Sequence, residues 1–336
     1  MIPETPIIWQ QYHALLEHLP EMHTQYPIIN GHFRRLDSGI AGEDNLEYHL
    51  HQAYIPSFQL IKRLRLEHHS SFQLDWIILT PGFRVILEVK NYTGIIYFDP
   101  KSNQLIREKD GITRTFDDPL LQVDRQYANL RTYLSDHEIQ QLPVYRAAVF
   151  VNHHAILQLH DYPEHHRILT SQAVPAFLEK LSAKHSPAIT EQQNRALVEF
   201  LQENHQERSI SILEKHHILW EDLIKGVPCP HCQRRGMLRE RMRWQCSYCG
   251  TRSNDAHLSM LYHLALLTGN RLTKKLVQEF LMLDSPEATR KLILRAGYIK
   301  FGESKQVYYS HPYLVQFFKS GQQMRKSGQQ IQKSGQ

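Results

Sequence analysis

Asp75, and Glu88 with Lys90 in the run Val85-Ile-Leu-Glu-Val-Lys90, are the first residues whose types and spacing suit chemistry. Side chains alternate faces along a strand, so Glu88 and Lys90 share one face while Leu87 and Val89 take the other. Asp75 stands just before Trp76-Ile-Ile-Leu-Thr80, and Pro81-Gly82 separates that β-rich run from the second, so the two read as a hairpin. Antiparallel pairing then carries Asp75, at the start of one strand, beside Glu88 and Lys90 at the end of its neighbour. Two carboxylates and an ammonium suit a hard divalent cation such as Mg²⁺ or Mn²⁺, which takes oxygen ligands and keeps several waters. Such a metal polarises a phosphoryl oxygen and lowers the pKa of bound water, while Lys90 orients that water or stabilises charge on phosphorus. A solvated ion pair on an edge strand has the same spacing and stays open as the alternative.

A second group is sulfur. All four cysteines of the chain occur as Cys229-Pro-His-Cys232 and, after thirteen intervening residues, Cys246-Ser-Tyr-Cys249. Two Cys-x-x-Cys pairs can close a tetrahedral thiolate shell around Zn²⁺, whose binding folds a segment too short to hold itself. The spacing is that of a zinc ribbon with a closed, structural site; an iron–sulfur cluster or a redox pair would use similar spacing. With no cysteine left over, a reducing compartment and hence the cytoplasm is expected. Between the pairs, Arg239-Glu-Arg241-Met-Arg243-Trp244 sets basic groups beside an aromatic, as phosphate contact and base stacking require. A solvated hairpin with Trp244 packed on the metal knuckle is the other reading.

The elements that must position the carboxylates mix helix and strand. Gly42 to Tyr54 reads as a helix with Leu46 and Leu50 on one face, and Leu60 to Leu66 alternates like a half-buried strand. Asp118-Pro119 sets an N-cap before a proline at the first helical position, and Val123, Tyr127, Leu130 and Leu134 follow at helical spacing. Val144 to Val151 reads as a buried central strand, and Thr190-Glu-Gln-Gln193 as a capping box. The sum is α/β.

Gly39-Ile-Ala-Gly42-Glu43, Gln73-Leu-Asp75, Ile86-Leu-Glu88-Val-Lys90-Asn91-Tyr-Thr-Gly94 and Asp118-Pro-Leu-Leu-Gln122 occur in an order that resembles the NERD, or nuclease-related, domain. That family is related to the restriction-endonuclease-like PD-(D/E)xK superfamily, and the likeness covers roughly Asp37 to Val151. It implies a restriction-endonuclease-like core in which Glu43, Asp75 and Glu88 hold Mg²⁺ or Mn²⁺. It also implies that Lys90 is the catalytic lysine and that Gln122 holds water or phosphate, with Gln126 one turn further on the same face. No proline precedes Asp75, and Asp118 stands where asparagine is commoner in the family.

From Asp255 onward three helices and a hairpin are expected, a winged-helix-like layout whose third helix enters the major groove. Arg290, Lys291 and Arg295 are its candidate DNA contacts, Lys300 and Lys305 those of the wing, and Arg241, Arg243 and Trp244 those of the ribbon. A helical packing module with a basic face is the alternative. Charge is divided accordingly. From Gly226 onward there are 18 lysines and arginines against six acidic residues, a net +12, and the first 225 residues carry 21 against 28, a net −7. The expected division is 1–36, a helical extension; 37–205, the nuclease-like domain; 206–225, a helical linker; 226–252, the zinc ribbon; 253–316, the winged helix; and 317–336, a disordered Lys-Ser-Gly-Gln tail.

The 22 histidines include no His-Glu-x-x-His and read as solvated surface. P-loop, dinucleotide-binding and serine-hydrolase motifs do not occur, and no apolar run is long enough for a membrane span. The expectation is a metal-dependent DNA nuclease with C-terminal binding modules, duplex DNA as partner and no membrane. The alternatives are a non-cleaving DNA-binding or regulatory protein on the same fold, and a nuclease acting on RNA.

Overall fold

Residues 2–160, 162–303 and 306–318 are described by a computed structural model. Contacts divide the chain into a unit of Ile2 with Arg35–Gln206, and a unit of Pro3–Arg34 with Glu207 onward. The helices and strands of the first half, in chain order, are α1 (Ile7–His18), α2 (Tyr26–Leu50), β1 (Gln59–His68), β2 (Ser70–Leu79), β3 (Arg84–Lys90), β4 (Gly94–Asp99), β5 (Gln104–Lys109), β6 (Ile112–Asp117) and α3 (Pro119–Asp136). They continue as β7 (Val144–Phe150), β8 (Ala155–Gln158), β9 (Ile168–Thr170), α4 (Val174–Lys184) and α5 (Glu191–Glu203).

The first unit is built on a five-stranded sheet in the order β1-β2-β3-β7-β9. β1, β2 and β3 are antiparallel neighbours, and β7 and β9 run parallel to β3. On one face Ile77 and Ile86 pack with Val123 and Leu130 of α3 and Leu197 and Leu201 of α5. On the other, Trp76 and Leu87 pack with Leu46 and Leu50 of α2 and Val174 and Leu178 of α4. A second sheet, β6-β5-β4-β8, adds Ile96, Phe98 and Leu105 to the first core. Two buried faces explain why β3 reads Val85-Ile-Leu as an unbroken apolar run.

The hairpin pairs Trp76 with Leu87 and Ile78 with Val85, and Thr80 closes its turn by donating to the Phe83 carbonyl at 2.7 Å. β2 nevertheless starts at Ser70, so Asp75 lies in mid-strand and not ahead of the strand. The helix expected over Gly42–Tyr54 begins at Tyr26 and stops at Leu50. Glycine in a helix interior costs about 1 kcal/mol relative to alanine, which hid this length. Gly42 has a packing reason: a Cβ there would come 2.8 Å from the Asn91 Cβ, just beyond the end of β3. Asp118 caps α3 by accepting the Leu120 N–H at 2.8 Å, and Thr190 and Gln193 form the capping box of α5.

The second unit holds α1, the first part of α2, α6 (Ile212–Lys215), β10 (Met237–Glu240), β11 (Arg243–Cys246) and β12 (Arg252–Ser253). After these come α7 (Leu258–Leu267), α8 (Lys274–Leu281), α9 (Pro286–Arg295), β13 (Ile299–Phe301), β14 (Tyr308–Ser310) and α10 (Pro312–Phe318). β10-β11-β12 form a three-stranded sheet, and β13 pairs with β14 after three helices, two of them capped by Thr273 and Ser285. Pro3–Arg34 group with this unit. Gln11 of α1 donates to the Ile210 and Leu266 carbonyls at 2.8 and 3.0 Å, and Arg235 donates to the Glu17 carbonyl at 2.6 Å.

The histidines correct the sequence reading. His18, His205, His216 and His257 are buried, and His18 Nε2 lies 3.0 Å from His263 Nδ1. Imidazole has an apolar body and a polar tip, so it enters cores wherever a partner waits for its nitrogens. Among the described residues no helix is long and apolar enough to cross a membrane. Lys305 and the repeats from Lys319 lie outside the described residues.

Candidate functional site

The candidate site forms where β2, β3, α2 and α3 meet. Glu88 is 2% exposed and both its oxygens are engaged: Lys90 Nζ donates to Oε1 at 2.5 Å, and Gln126 Nε2 to Oε2 at 2.8 Å. Lys90 also donates to Gln122 Oε1 at 3.1 Å. Asp75 Oδ2 accepts the Val89 N–H at 2.9 Å, which ties the first carboxylate to the backbone between Glu88 and Lys90. Gln122 and Gln126 lie one turn apart on α3 and so present their amides to the same strand end.

Electrostatics marks the cluster as cation-seeking. Burial, then the charges of Glu88 and Glu43, push the Asp75 carboxyl well above the usual range, against the Val89 N–H and Lys90. Burial also lifts Glu43 to about 7, with Asp44 and Glu88 adding and Arg63 opposing. Burial works against the Lys90 ammonium, but Glu88 and Asp75 outweigh it and its pKa rises. Lys90 therefore stays charged. The donor set is oxygen throughout, as Mg²⁺ and Mn²⁺ prefer, and Asp75 and Glu88 are the residues that would hold such an ion. Glu43 is less closely joined: its Oε2 accepts from Arg63 Nη1 at 3.1 Å. The three carboxylates do not form a set with ligand oxygens all within 4.8 Å of one another.

Arg63 is the residue that sequence reasoning missed. It is 6% exposed and has φ +56°, and the β1–β2 ladder, which pairs Lys62 with Trp76 and Leu64 with Leu74, is interrupted at its position opposite Asp75. A signal existed: Ile61, Leu64 and Leu66 all face one core, a spacing of three before a spacing of two. Tyr162, which donates to Asp118 Oδ2 at 2.5 Å, had no such signal.

In the second unit the four cysteine sulfurs lie within 4.8 Å of one another. Cys229 and Cys249 Sγ are 3.6 Å apart, and Cys232 and Cys246 Sγ 3.7 Å. A Zn–S bond of about 2.3 Å puts tetrahedral sulfurs about 3.8 Å apart, so the set fits zinc. His68, His69 and Asp136 also bring ligand atoms within 4.8 Å, with His68 Nε2 3.1 Å from Asp136 Oδ2.

Of the expected nucleic-acid contacts, Arg241, Arg243, Arg290, Lys291, Arg295 and Lys300 are exposed. Trp244 is not. It is 0% exposed, donates from Nε1 to His257 Nδ1 at 3.1 Å, and lies under the Arg239 guanidinium, so it serves the module's core and cannot stack on a base. Its indole is the largest apolar group available to a small three-stranded sheet, and burial claims it. Arg290 and Lys291 share Glu287, at 3.0 and 3.7 Å.

Comparison with known families matches residues 38–151, about a third of the chain, to the family described as the nuclease-related domain, NERD. No curated protein and no solved structure matches the chain significantly.

Proposed function

We propose that the protein is a nuclease that hydrolyses DNA phosphodiester bonds with Mg²⁺ or Mn²⁺ held by Asp75 and Glu88. The observation that carries this reading is the meeting of Asp75, Glu88 and a charged Lys90 at one end of β3, inside the segment that matches the nuclease-related domain. The ion, when bound, supplies Lewis acidity toward a phosphoryl oxygen and makes water a better nucleophile near neutral pH.

The chain's own groups do the rest. Gln126 donates to Glu88 and fixes its carboxylate plane. Lys90 places a positive charge where negative charge grows on the phosphate, and Gln122 steadies it through Oε1, leaving its amide N–H groups for a phosphate oxygen or the attacking water. Arg63 holds Glu43 as an outer carboxylate. The cysteine cluster is read as a structural zinc ribbon, and α7–α9 with β13–β14 as a winged helix that grips duplex DNA. The net +12 of residues from Gly226 onward fits that division of labour.

Supercoiled and linear DNA incubated with the zinc-loaded protein, with and without Mg²⁺ or Mn²⁺, tests the reading beside Glu88→Ala. Divalent-dependent cutting that disappears in the variant is expected. Equal cutting by the variant would place the activity elsewhere. Intact, salt-sensitive DNA binding without cutting would leave a binding protein on a nuclease fold.

A further inference from the structure

A notch of about 510 Å³ opens between the cysteine-bearing sheet and α9, lined by Arg239, Arg243, His257, Leu292 and Arg295, with Asp255 at its edge. Its charge is unbalanced. None of the three arginines has an acidic partner among the described residues, whereas Arg290 and Lys291 on the same helix share Glu287. Asp255 is the one acidic residue of the lining, and its Oδ1 already accepts from Ser253 Oγ at 2.7 Å.

Arg239 is held in place before any ligand arrives. Its guanidinium lies 5.2 Å from the centroid of the buried Trp244 ring, and its Nη1 is buried without a hydrogen-bond partner. A buried guanidinium donor left empty is costly unless something fills it. Trp244 Nε1 can only donate, so His257 Nδ1 is the acceptor and the neutral ring carries its proton on Nε2. Burial, then Arg239, lower His257 to about 4, so the ring is neutral near pH 7 and offers one N–H. Three unpaired forks and an imidazole N–H around one hollow match a tetrahedral oxyanion better than a carboxylate or an apolar group.

We propose that this notch is a phosphate clamp, in which Arg239, Arg243 and Arg295 hold one backbone phosphodiester between the cysteine ribbon and α9. The assignment to a nucleic-acid backbone rests on the DNA-acting reading above. It changes which residues anchor the duplex. The clamp uses the C-terminal end of α9 and the ribbon together, so the two modules are set in register by a single phosphate. Arg239 becomes a contact residue, and Arg290 and Lys291, which share the Glu287 carboxylate, become secondary.

The test uses full-length, zinc-loaded protein without added Mg²⁺ and a duplex of about 20 base pairs, with affinity read across a NaCl series. Arg239→Gln and Arg295→Gln are each expected to weaken binding about tenfold at physiological salt and to flatten the log K against log [NaCl] slope by about 0.9. The double variant should flatten it no further, because both forks serve the same phosphate. A neutral methylphosphonate walked along the duplex should weaken wild type at one position that Arg239→Gln no longer senses. Zinc stoichiometry and circular dichroism guard against misfolding, and Arg239→Lys, which keeps the charge but not the fork, should fall between. Slopes equal to wild type, or additive losses in the double variant, overturn the clamp. Should wild type bind no DNA, the nucleic-acid reading fails by itself. Inorganic phosphate binding, followed by ³¹P line broadening, then decides the notch. Binding lost in Arg239→Gln would make it a free-phosphate site and overturn the backbone assignment, and no binding would overturn the oxyanion site altogether.

Discussion

The protein builds two metal-suited donor sets by opposite routes. The four sulfurs come from two local knuckles between Cys229 and Cys249, and the sheet that carries them buries little beyond Met237 and Trp244. The carboxylates come from α2, β2 and β3, and the amides beside them from α3, all held by a sheet with a core on each face. A donor set made of neighbours in sequence needs the metal to hold its module together. One assembled across a packed sheet is in place beforehand and holds its carboxylates out of water, which together with their neighbouring charges raises the Asp75 and Glu43 carboxyls. On the proposed reading, metal is structural in the first and exchangeable in the second.

The largest expected effect separates them directly. Stripping zinc should erase hydrogen-exchange protection across β10–β12, since structural zinc contributes about 10–16 kcal/mol in small zinc modules. Protection in β2, β3 and β7 should persist. Equal loss in both regions would break the distinction. Next, Lys90→Met should lower the rate of DNA cleavage by about 10²–10³-fold, the scale of removing one positioned charge-stabilising donor, while zinc stoichiometry and DNA affinity stay unchanged. A matching fall in affinity would make Lys90 a binding residue.

Acidity should sharpen the contrast further. Glu43 is raised, so in Mg-free protein its contribution to folding is full below pH 4.5 and lost as pH rises through about 7. His18 and His263 are lowered to about 3 and about 4, mainly by burial, so theirs is full above pH 6.5 and lost as pH falls toward those values. Hydrogen exchange corrected for intrinsic rates at pH 6 and 8 should therefore show β2–β3 gaining protection at pH 6 while α1 and α7 lose it. Shifts of the same sign in both would contradict the burial-driven origin of these pKa values. The smallest effect is a local one: Thr190→Ala should destabilise the first unit by about 1 kcal/mol in a urea titration and leave the zinc module's transition where it was.

Much of this was legible because it is local. The Pro81-Gly82 hairpin, the Asp118-Pro119 cap and the Thr190 box each depend on a few adjacent residues, and all three stand in the structure. The limits of α2 were not legible, because Gly39 and Gly42 read as breakers until Asn91 supplies the reason for a missing Cβ at Gly42. From sequence alone Asp75 reads as a strand end, because the polar pair Ser70-Ser71 hides the start of β2. Buried histidines went unseen because their partners are remote, as with His18 and His263.

By itself the sequence determined the cysteine shell, the shared face of Glu88 and Lys90, and the charge division between the two parts of the chain. Spacing and alternation are properties of neighbouring residues, and any fold must honour them. Only the tertiary structure decided that Arg63 reaches Glu43, that Lys90 keeps its proton, that Trp244 goes inside, and that Arg239 and Arg295 face one hollow. Each of those depends on which distant side chains share a low-dielectric space. Packing sets that, and no spacing rule encodes it.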